Sequence, residues 1–429
     1  MTTCVVGLGK IGLPLAVQIA SKGERVIGAD INDEAVAKIN SAQVPFPGER
    51  DLPELLKKTI ENGLLKATSN TEEAVRQSDF VIVVVPVVVD EVANPDFLAI
   101  DSATQDIARG LTAGTLVCYE TTLPIGTTRT RFAPILEQIS GLSCGFDLFI
   151  AYSPERVFSG RIFADLRAYP KLVGGLDPES TERAVAFYET ILDFDERDDL
   201  TRPNGVWNLA RAEAAEMAKL AETTYRNVNI ALANEFALHA QDLGLNAYSI
   251  IEASNSQPFS HIHLPGVAVG GHCIPVYPKF YMHTDSECTI PRAAVNLNES
   301  MPARVVKFTE DQYGSLKDTR IAVMGLTYRG DVKETAFSGA FPLLKEITER
   351  GGTAVIHDPL FTEKEILSLG LEPHRLGDPC DIAIIQADHT LYSTLTASDF
   401  PQTKLIIDGR NIIDETKVKP VVVKVLGKG

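Results

Sequence analysis

The chain has 429 residues, enough at roughly 150 per domain for two or three domains with cores of their own. Its 57 Asp and Glu against 40 Lys and Arg give a formal charge of −17, which argues against nucleic acid as a partner and requires that any anionic substrate be met by locally gathered basic residues. The six cysteines (Cys4, Cys118, Cys144, Cys273, Cys288, Cys380) form no Cys-x-x-Cys and have no paired histidine spacing, so neither a disulfide framework nor a metal site is expected, and a cytoplasmic protein is.

The first element reads as a strand, Cys4-Val5-Val6, running into Gly7-Leu8-Gly9-Lys10-Ile11-Gly12 and then an apolar, Ala-rich helix. This is the context in which Gly-x-Gly-x-x-Gly binds a dinucleotide. Gly7 permits the tight turn, Gly9 lets a pyrophosphate approach the backbone, Gly12 allows close packing of helix on strand, and the helix start offers free N–H groups to the anion. Because this strand starts almost at Met1, no signal peptide is expected. A second strand, Arg25 to Ala29, ends at Asp30, where an acid takes the ribose hydroxyls and favours NAD over NADP. The run Phe80 to Val89 is too short and too broken by Pro86 to span a membrane; it reads as a buried parallel strand and its exit.

Strands at 26–30, 80–85, 115–119 and 148–151 alternate with helices as far as about residue 200, which predicts a doubly wound sheet with functional residues just past the strand ends. Those exits carry Pro86, the segment Thr121 to Thr128, and Ser153-Pro154-Glu155-Arg156. From Trp207 to Leu243 there is neither Pro nor Gly, which predicts one helix of roughly 55 Å that links two domains and offers a face to a second copy. Lys219, Thr223 and Arg226 share a face of it, either as a solvated polar stripe or as part of a site. Further on, Cys273 follows Gly270 and Gly271 in an apolar loop closed by Pro275 and Pro278; it is either a nucleophile on a shaped turn or a small buried hydrophobe. After about residue 315, strands with their turns at 320–326, 353–359, 381–385 and 404–408 repeat the α/β pattern without the glycine fingerprint. That suits a nucleotide-bearing substrate, with Arg329, Lys333 and Arg410 at strand ends. The expected fold class is α/β: two Rossmann-like doubly wound domains, 1–200 and 311–429, joined by a long central helix and a helical middle domain, 201–310.

Six motifs in order resemble the UDP-glucose/GDP-mannose dehydrogenase family over nearly the whole chain: Gly7 to Pro14, Glu120 to Thr127, Ser153 to Val157, Lys219-Leu220 with Asn234-Glu235, Gly270 to Pro275, and Asp408-Gly409-Arg410. The resemblance implies oxidation of the C6 hydroxyl of a nucleotide-sugar to a carboxylate, with two NAD and one water. Cys273 would carry the thiohemiacetal and thioester, Lys219 would stabilise the oxyanion, Glu155 would serve thioester hydrolysis and Thr122 would help to position water. It implies cofactor contacts from Gly7, Gly9, Lys10, Ile11, Gly12, Asp30, Pro86, Thr122, Glu155 and Lys333. Substrate contacts would come from Arg156, Val157, Lys219, Thr223, Gly270, Tyr328, Arg329 and Arg410.

The chain departs from the family pattern at Thr223, usually Asn, at Tyr277, usually Asp, and around Gln257, His261 and His263, where an arginine often reaches across a dimer. Gly-Gly-His-Cys-Ile-Pro behind His-x-Pro-Gly looks like the branch acting on UDP-N-acetylmannosamine or UDP-N-acetylglucosamine, with UDP-glucose or GDP-mannose as the alternative. A two-electron dehydrogenase of the hydroxyacid type would share the NAD domain but have no use for Cys273. A homodimer or higher homo-oligomer is the expected assembly.

Overall fold

Short β-branched runs start each sheet, and helices cover both faces, so the central strands are apolar at nearly every position rather than at alternate ones. The structure, a computed structural model, describes residues 1–90, 94–158 and 160–429. The chain divides into two units, Met1–Glu222 and Thr223–Gly429.

In the first unit the strands are Thr2–Val6 (β1), Arg25–Ala29 (β2), Leu65–Thr68 (β3), Phe80–Val83 (β4), the small hairpin Val88–Val89 (β5) and Pro95–Asp96 (β6), Leu116–Tyr119 (β7), Phe149–Tyr152 (β8), Lys171–Gly175 (β9) and Val206–Arg211 (β10). Eight of them form one sheet in the order β10-β9-β8-β7-β4-β1-β2-β3, parallel except between β8 and β9. The order reverses between β1 and β4, the place where a doubly wound sheet opens a crevice at its strand ends. Helix Gly12–Ser21 buries Leu13, Val17 and Ile19 against the sheet, and Phe80 stacks on Phe187 on one of its faces.

One expectation needs correction, and the first sheet holds strands that the sequence does not signal. The stretch from Trp207 is not helical throughout: Val206 to Arg211 pair with β9 as the edge strand, and the helix runs over Ala212–Asp242, 31 residues and so about 46 Å. An aromatic and a valine beside an open edge favour pairing, and the lack of Pro and Gly hides the change of element. Likewise β3 and β9 were not foreseen, because four polar-interrupted residues in one and two glycines in the other give no strand pattern.

In the second unit the strands are Arg320–Met324 (β11), Thr353–His357 (β12), Ile382–Ile385 (β13), Leu405–Asp408 (β14) and Val422–Val425 (β15). They are all parallel, in the order β12-β11-β13-β14-β15, with the reversal between β11 and β13. Alternate residues of each strand enter two cores, one with Val323, Ile384 and Leu343, the other with Met324, Ile385 and Tyr392. Helices Ala247–Asn255, Tyr277–Thr284 and Ile290–Tyr313 precede this sheet. No helix among the described residues is long and apolar enough to cross a membrane.

A half-buried histidine ties this sheet to pH. The His357 Nδ1 meets the Tyr392 hydroxyl at 2.9 Å, and burial, with help from His374, pulls the imidazole down to about 4 from an ordinary 6.5. The unfolded chain therefore binds the proton first. Stability is complete above about 6.5 and is lost as pH falls toward about 4, on the order of 3 kcal/mol for this group. Urea midpoints at pH 7.5 and 4.5 should lie closer together in His357→Asn than in the wild type; an unchanged gap would remove His357 from the account.

Candidate active site

The glycine loop has the geometry that a pyrophosphate needs. Gly7 sits at φ +93° with its missing Cβ against the Val84 carbonyl, and a Cβ on Gly12 would lie 1.8 Å from the Gly7 oxygen. At Gly9 a Cβ would meet no atom within 4 Å, so this stretch of backbone is open to a ligand. Lys10 is exposed and Ile11 half-buried at the start of helix Gly12–Ser21. Past β2, the Asp30 carboxylate accepts from Leu8 N at 2.7 Å and from Asn32 N at 2.9 Å, which leaves each oxygen one lone pair for a ribose hydroxyl. Pro86 is exposed beyond β4. These residues fit NAD.

Further along the same sheet, Thr122 is buried beyond β7, in a loop held to the long helix by Glu216. The Glu216 carboxylate accepts from Gly126 N, from Thr128 N at 3.0 Å and from the Thr128 hydroxyl at 2.6 Å. Burial pushes this carboxyl up, and the three donors oppose it. Three residues on, Lys219 is also buried, with Glu222 at 3.3 Å; the stripe of Lys219 and Thr223 is therefore not a solvated one. Glu222 also pairs with Arg156 at 2.8 Å, and Val157 packs on the core of the sheet.

Glu155 lies in a charged cluster at the ends of three adjacent strands. Its Oε2 accepts from Lys171 Nζ at 3.0 Å and its Oε1 from Arg156 N at 2.6 Å. Lys171 Nζ also donates to Glu120 Oε2 at 2.8 Å, and Tyr188 donates its hydroxyl to Glu120 Oε1. Burial pushes Glu155 up, but Lys171, the Arg156 N–H and Lys219 outweigh it and leave the carboxyl below its ordinary range. Glu120, deeper, is raised by burial to about 7 against the pull of Lys171.

The second unit carries the thiol. Of the six cysteines, all among the described residues, Cys273 alone is exposed; Cys4, Cys118, Cys288 and Cys380 are buried. Its carbonyl accepts from Val276 N at 3.2 Å and Tyr277 N at 2.9 Å, so the loop closes directly onto helix Tyr277–Thr284. Both preceding glycines are required by Tyr328: a Cβ on Gly270 would lie 2.5 Å from the Tyr328 Cβ, and Gly271, at φ +90°, lies against its ring. Asparagines of the long helix fix the approach to this loop. Asn229 bonds His261 O and His263 N, and Asn234 Oδ1 accepts from Gly266 N.

Arg410 is presented by a turn that Asp408 braces through the N–H groups of Arg410, Ile412 and Ile413, and its Nε donates to Gln386 O at 2.6 Å, with Nη1 close to Gly266. Gly270, Tyr328 and Arg410 thus gather around one loop system, and Arg329 is exposed beside Tyr328. Lys333 pairs with Glu365 at 2.6 Å, and Thr223 is buried on the long helix.

Lys171, Tyr188, Glu216 and Glu222 were not singled out from the sequence. Glu216 and Glu222 sit three residues either side of Lys219, a helical spacing that marks neighbours of a lysine in an otherwise Ala-rich segment. Lys171 and Tyr188 come from separate elements and leave no local signal.

Three stretches match the UDP-glucose/GDP-mannose dehydrogenase family: residues 1–192 its NAD binding domain, 213–301 its central domain and 322–415 its UDP binding domain. UDP-N-acetyl-D-mannosamine dehydrogenase of Pyrococcus horikoshii is 35% identical over 427 residues, 97% of each chain. NDP-N-acetyl-D-galactosaminuronic acid dehydrogenase of Ralstonia solanacearum is 32% identical, covering 96% of each. Among solved structures, the UDP-ManNAc dehydrogenase of P. horikoshii superposes with a TM-score of 0.87 at 34% identity over 100% of both chains. The UDP-N-acetyl-mannosamine dehydrogenase of Staphylococcus aureus gives 0.83 at 29%, over 100% of this chain and 98% of that one. With a dinucleotide loop at one end, a second nucleotide-type sheet at the other and full-length relatives of this kind, the chain belongs to the UDP-glucose/GDP-mannose dehydrogenase family and is an NAD-dependent nucleotide-sugar dehydrogenase.

Proposed function

We propose that the chain oxidises the C6 hydroxyl of a UDP-N-acetylhexosamine, UDP-N-acetyl-D-mannosamine or UDP-N-acetyl-D-glucosamine, to the carboxylate, with Cys273 as nucleophile. The observation that carries this reading is the exposure of Cys273 alone among six cysteines, on a loop whose glycines are imposed by Tyr328. The N-acetylhexosamine substrate is supported by the relatives' names.

Bound NAD supplies the hydride acceptor for both oxidations. Between them the Cys273 thiolate adds to the C6 aldehyde, forming a C–S bond, so the half-oxidised sugar stays attached. Lys219, a buried cation, stabilises the oxygen anion that develops at C6. After the second oxidation the carbon is a thioester. Water adds to it with Glu155 taking a proton and Thr122 helping to orient the water, the C–S bond breaks, and the electron pair returns to sulfur. Arg156, Val157, Thr223, Gly270, Tyr328, Arg329 and Arg410 hold the nucleotide-sugar, while Lys333 belongs with the cofactor.

The test is stoichiometry: a panel of UDP-sugars and GDP-mannose, with NADH and uronate both counted. Two NADH per uronate with a UDP-N-acetylhexosamine is the expected result. One NADH per sugar would make the enzyme a two-electron dehydrogenase and end the proposal.

The enzyme works in the cytoplasm as a homodimer; six free cysteines suit a reducing compartment. Tyr225, Leu232 and Phe236 lie exposed on one face of the long helix, a stripe that a second copy of the same helix would cover. Leu232→Glu with Phe236→Glu should halve the mass measured by light scattering; an unchanged dimer mass would place the contact elsewhere.

A further inference from the structure

Thioester hydrolysis asks Glu155 to stay ionised and to face the same way through every cycle, and the residues behind it offer a means. The side chains of Glu155, Lys171 and Glu120 are 11%, 5% and 0% exposed, so the three form a file that opens outward only at Glu155. Lys171 Nζ lies 3.0 Å from Glu155 Oε2 and 2.8 Å from Glu120 Oε2, and 4.8 Å from the centre of the Tyr188 ring. The far oxygen of Glu120 is taken by the Tyr188 hydroxyl, which also lies 3.3 Å from Cys118 Sγ. At Glu155, the ammonium and the Arg156 N–H occupy one lone pair on each oxygen. The remaining pairs are free to receive a water proton.

Two carboxylates and one ammonium in a sheet interior cost more in desolvation than apolar side chains of the same volume. Stability alone does not account for them. We propose that Lys171 is a positioning residue for Glu155, and that Glu120 and Tyr188 anchor Lys171. The inference rests on the role for Glu155 given above and extends it to residues assigned to neither cofactor nor sugar. The ammonium favours the charged form of Glu155 and fixes the plane of its carboxylate. Glu120 and Tyr188 stop the ammonium from turning away. In the step they serve, water oxygen bonds to the thioester carbon, its proton passes to Glu155, and the C–S bond breaks with its electrons returning to Cys273 sulfur. No oxidant or reductant takes part.

Because both hydride transfers precede this step, loss of Lys171 should spare them. In stopped flow, Lys171→Met should release two NADH per active site in a burst and then turn over about a hundredfold more slowly than the wild type, with the sugar acyl group found on Cys273 by mass spectrometry after quenching. Lys171→Arg, which keeps the charge and the donors, should restore most of the steady rate. Tyr188→Phe removes one hydroxyl from the core and should show the same burst with a smaller slowing, which serves if Lys171→Met does not fold. A Lys171→Met or Tyr188→Phe enzyme that slows burst and steady state in equal proportion, or accumulates no acyl adduct, overturns the proposal. A wild type that fails to make two NADH per sugar instead defeats the assigned reaction and takes this inference with it.

Discussion

Cys273→Ser is expected to lower uronate formation by at least about 10³-fold, because a serine hydroxyl at neutral pH is a far poorer nucleophile than a thiolate and no other exposed cysteine is present among the described residues. NAD binding should change little, since the substitution leaves the glycine loop and Asp30 as they are. The mutant should stop at the aldehyde level, so a carbonyl trap added to the assay should collect a two-electron product with one NADH. Isothermal titration with NAD checks the binding arm and product analysis checks the chemical one. Uronate formation at the wild-type rate would remove the thiol from the reaction altogether.

Gly12→Ala should be the most damaging single methyl in the first unit. Its Cβ would fall 1.8 Å from the Gly7 carbonyl oxygen, and both are backbone, so no side chain can swing aside. Relief requires helix Gly12–Ser21 to move off β1, where Leu13, Leu15 and Ile19 are buried. A cost of about 3 kcal/mol follows, which for a unit of this size lowers its melting midpoint by roughly 6–12 °C. Gly9→Ala is the informative control. Its Cβ meets nothing within 4 Å, so the fold should be untouched while the added methyl stands where a pyrophosphate approaches. Thermal denaturation should separate the two variants; NAD titration should show both weakened. If Gly12→Ala melts with the wild type, the helix and strand are less tightly coupled than the distances imply.

Where sequence and structure agree, the reason is periodicity or a fixed backbone demand. β1, β2, β4, β7, β8 and the strands β11 to β14 are continuous apolar runs, and Gly7 and Gly12 of the first loop and Gly270 and Gly271 of the thiol loop stand where a Cβ would collide or φ is positive. β10 escaped notice because its residues are compatible with the helix that follows, and only the open edge of β9 recruits them. The Glu155 cluster was half visible. Glu155 sits in a motif at a strand exit, and Glu120 in another, but the ammonium between them arrives from β9, some fifty residues beyond Glu120 in the chain and adjacent only once the sheet is assembled. Pairings of that kind are long-range by construction and leave no pattern in a window of sequence.

Asp30 sets a limit on redesign. Because its carboxylate also receives the Leu8 N–H of the glycine turn, the acid proposed to discriminate between the two dinucleotides is at the same time a brace for the glycine loop itself. An attempt to convert this enzyme to the phosphorylated coenzyme by removing that acid would orphan a buried amide as well as admit the extra phosphate. A successful conversion must supply a replacement acceptor for Leu8 along with the new cation, which makes coenzyme choice here a two-residue trait.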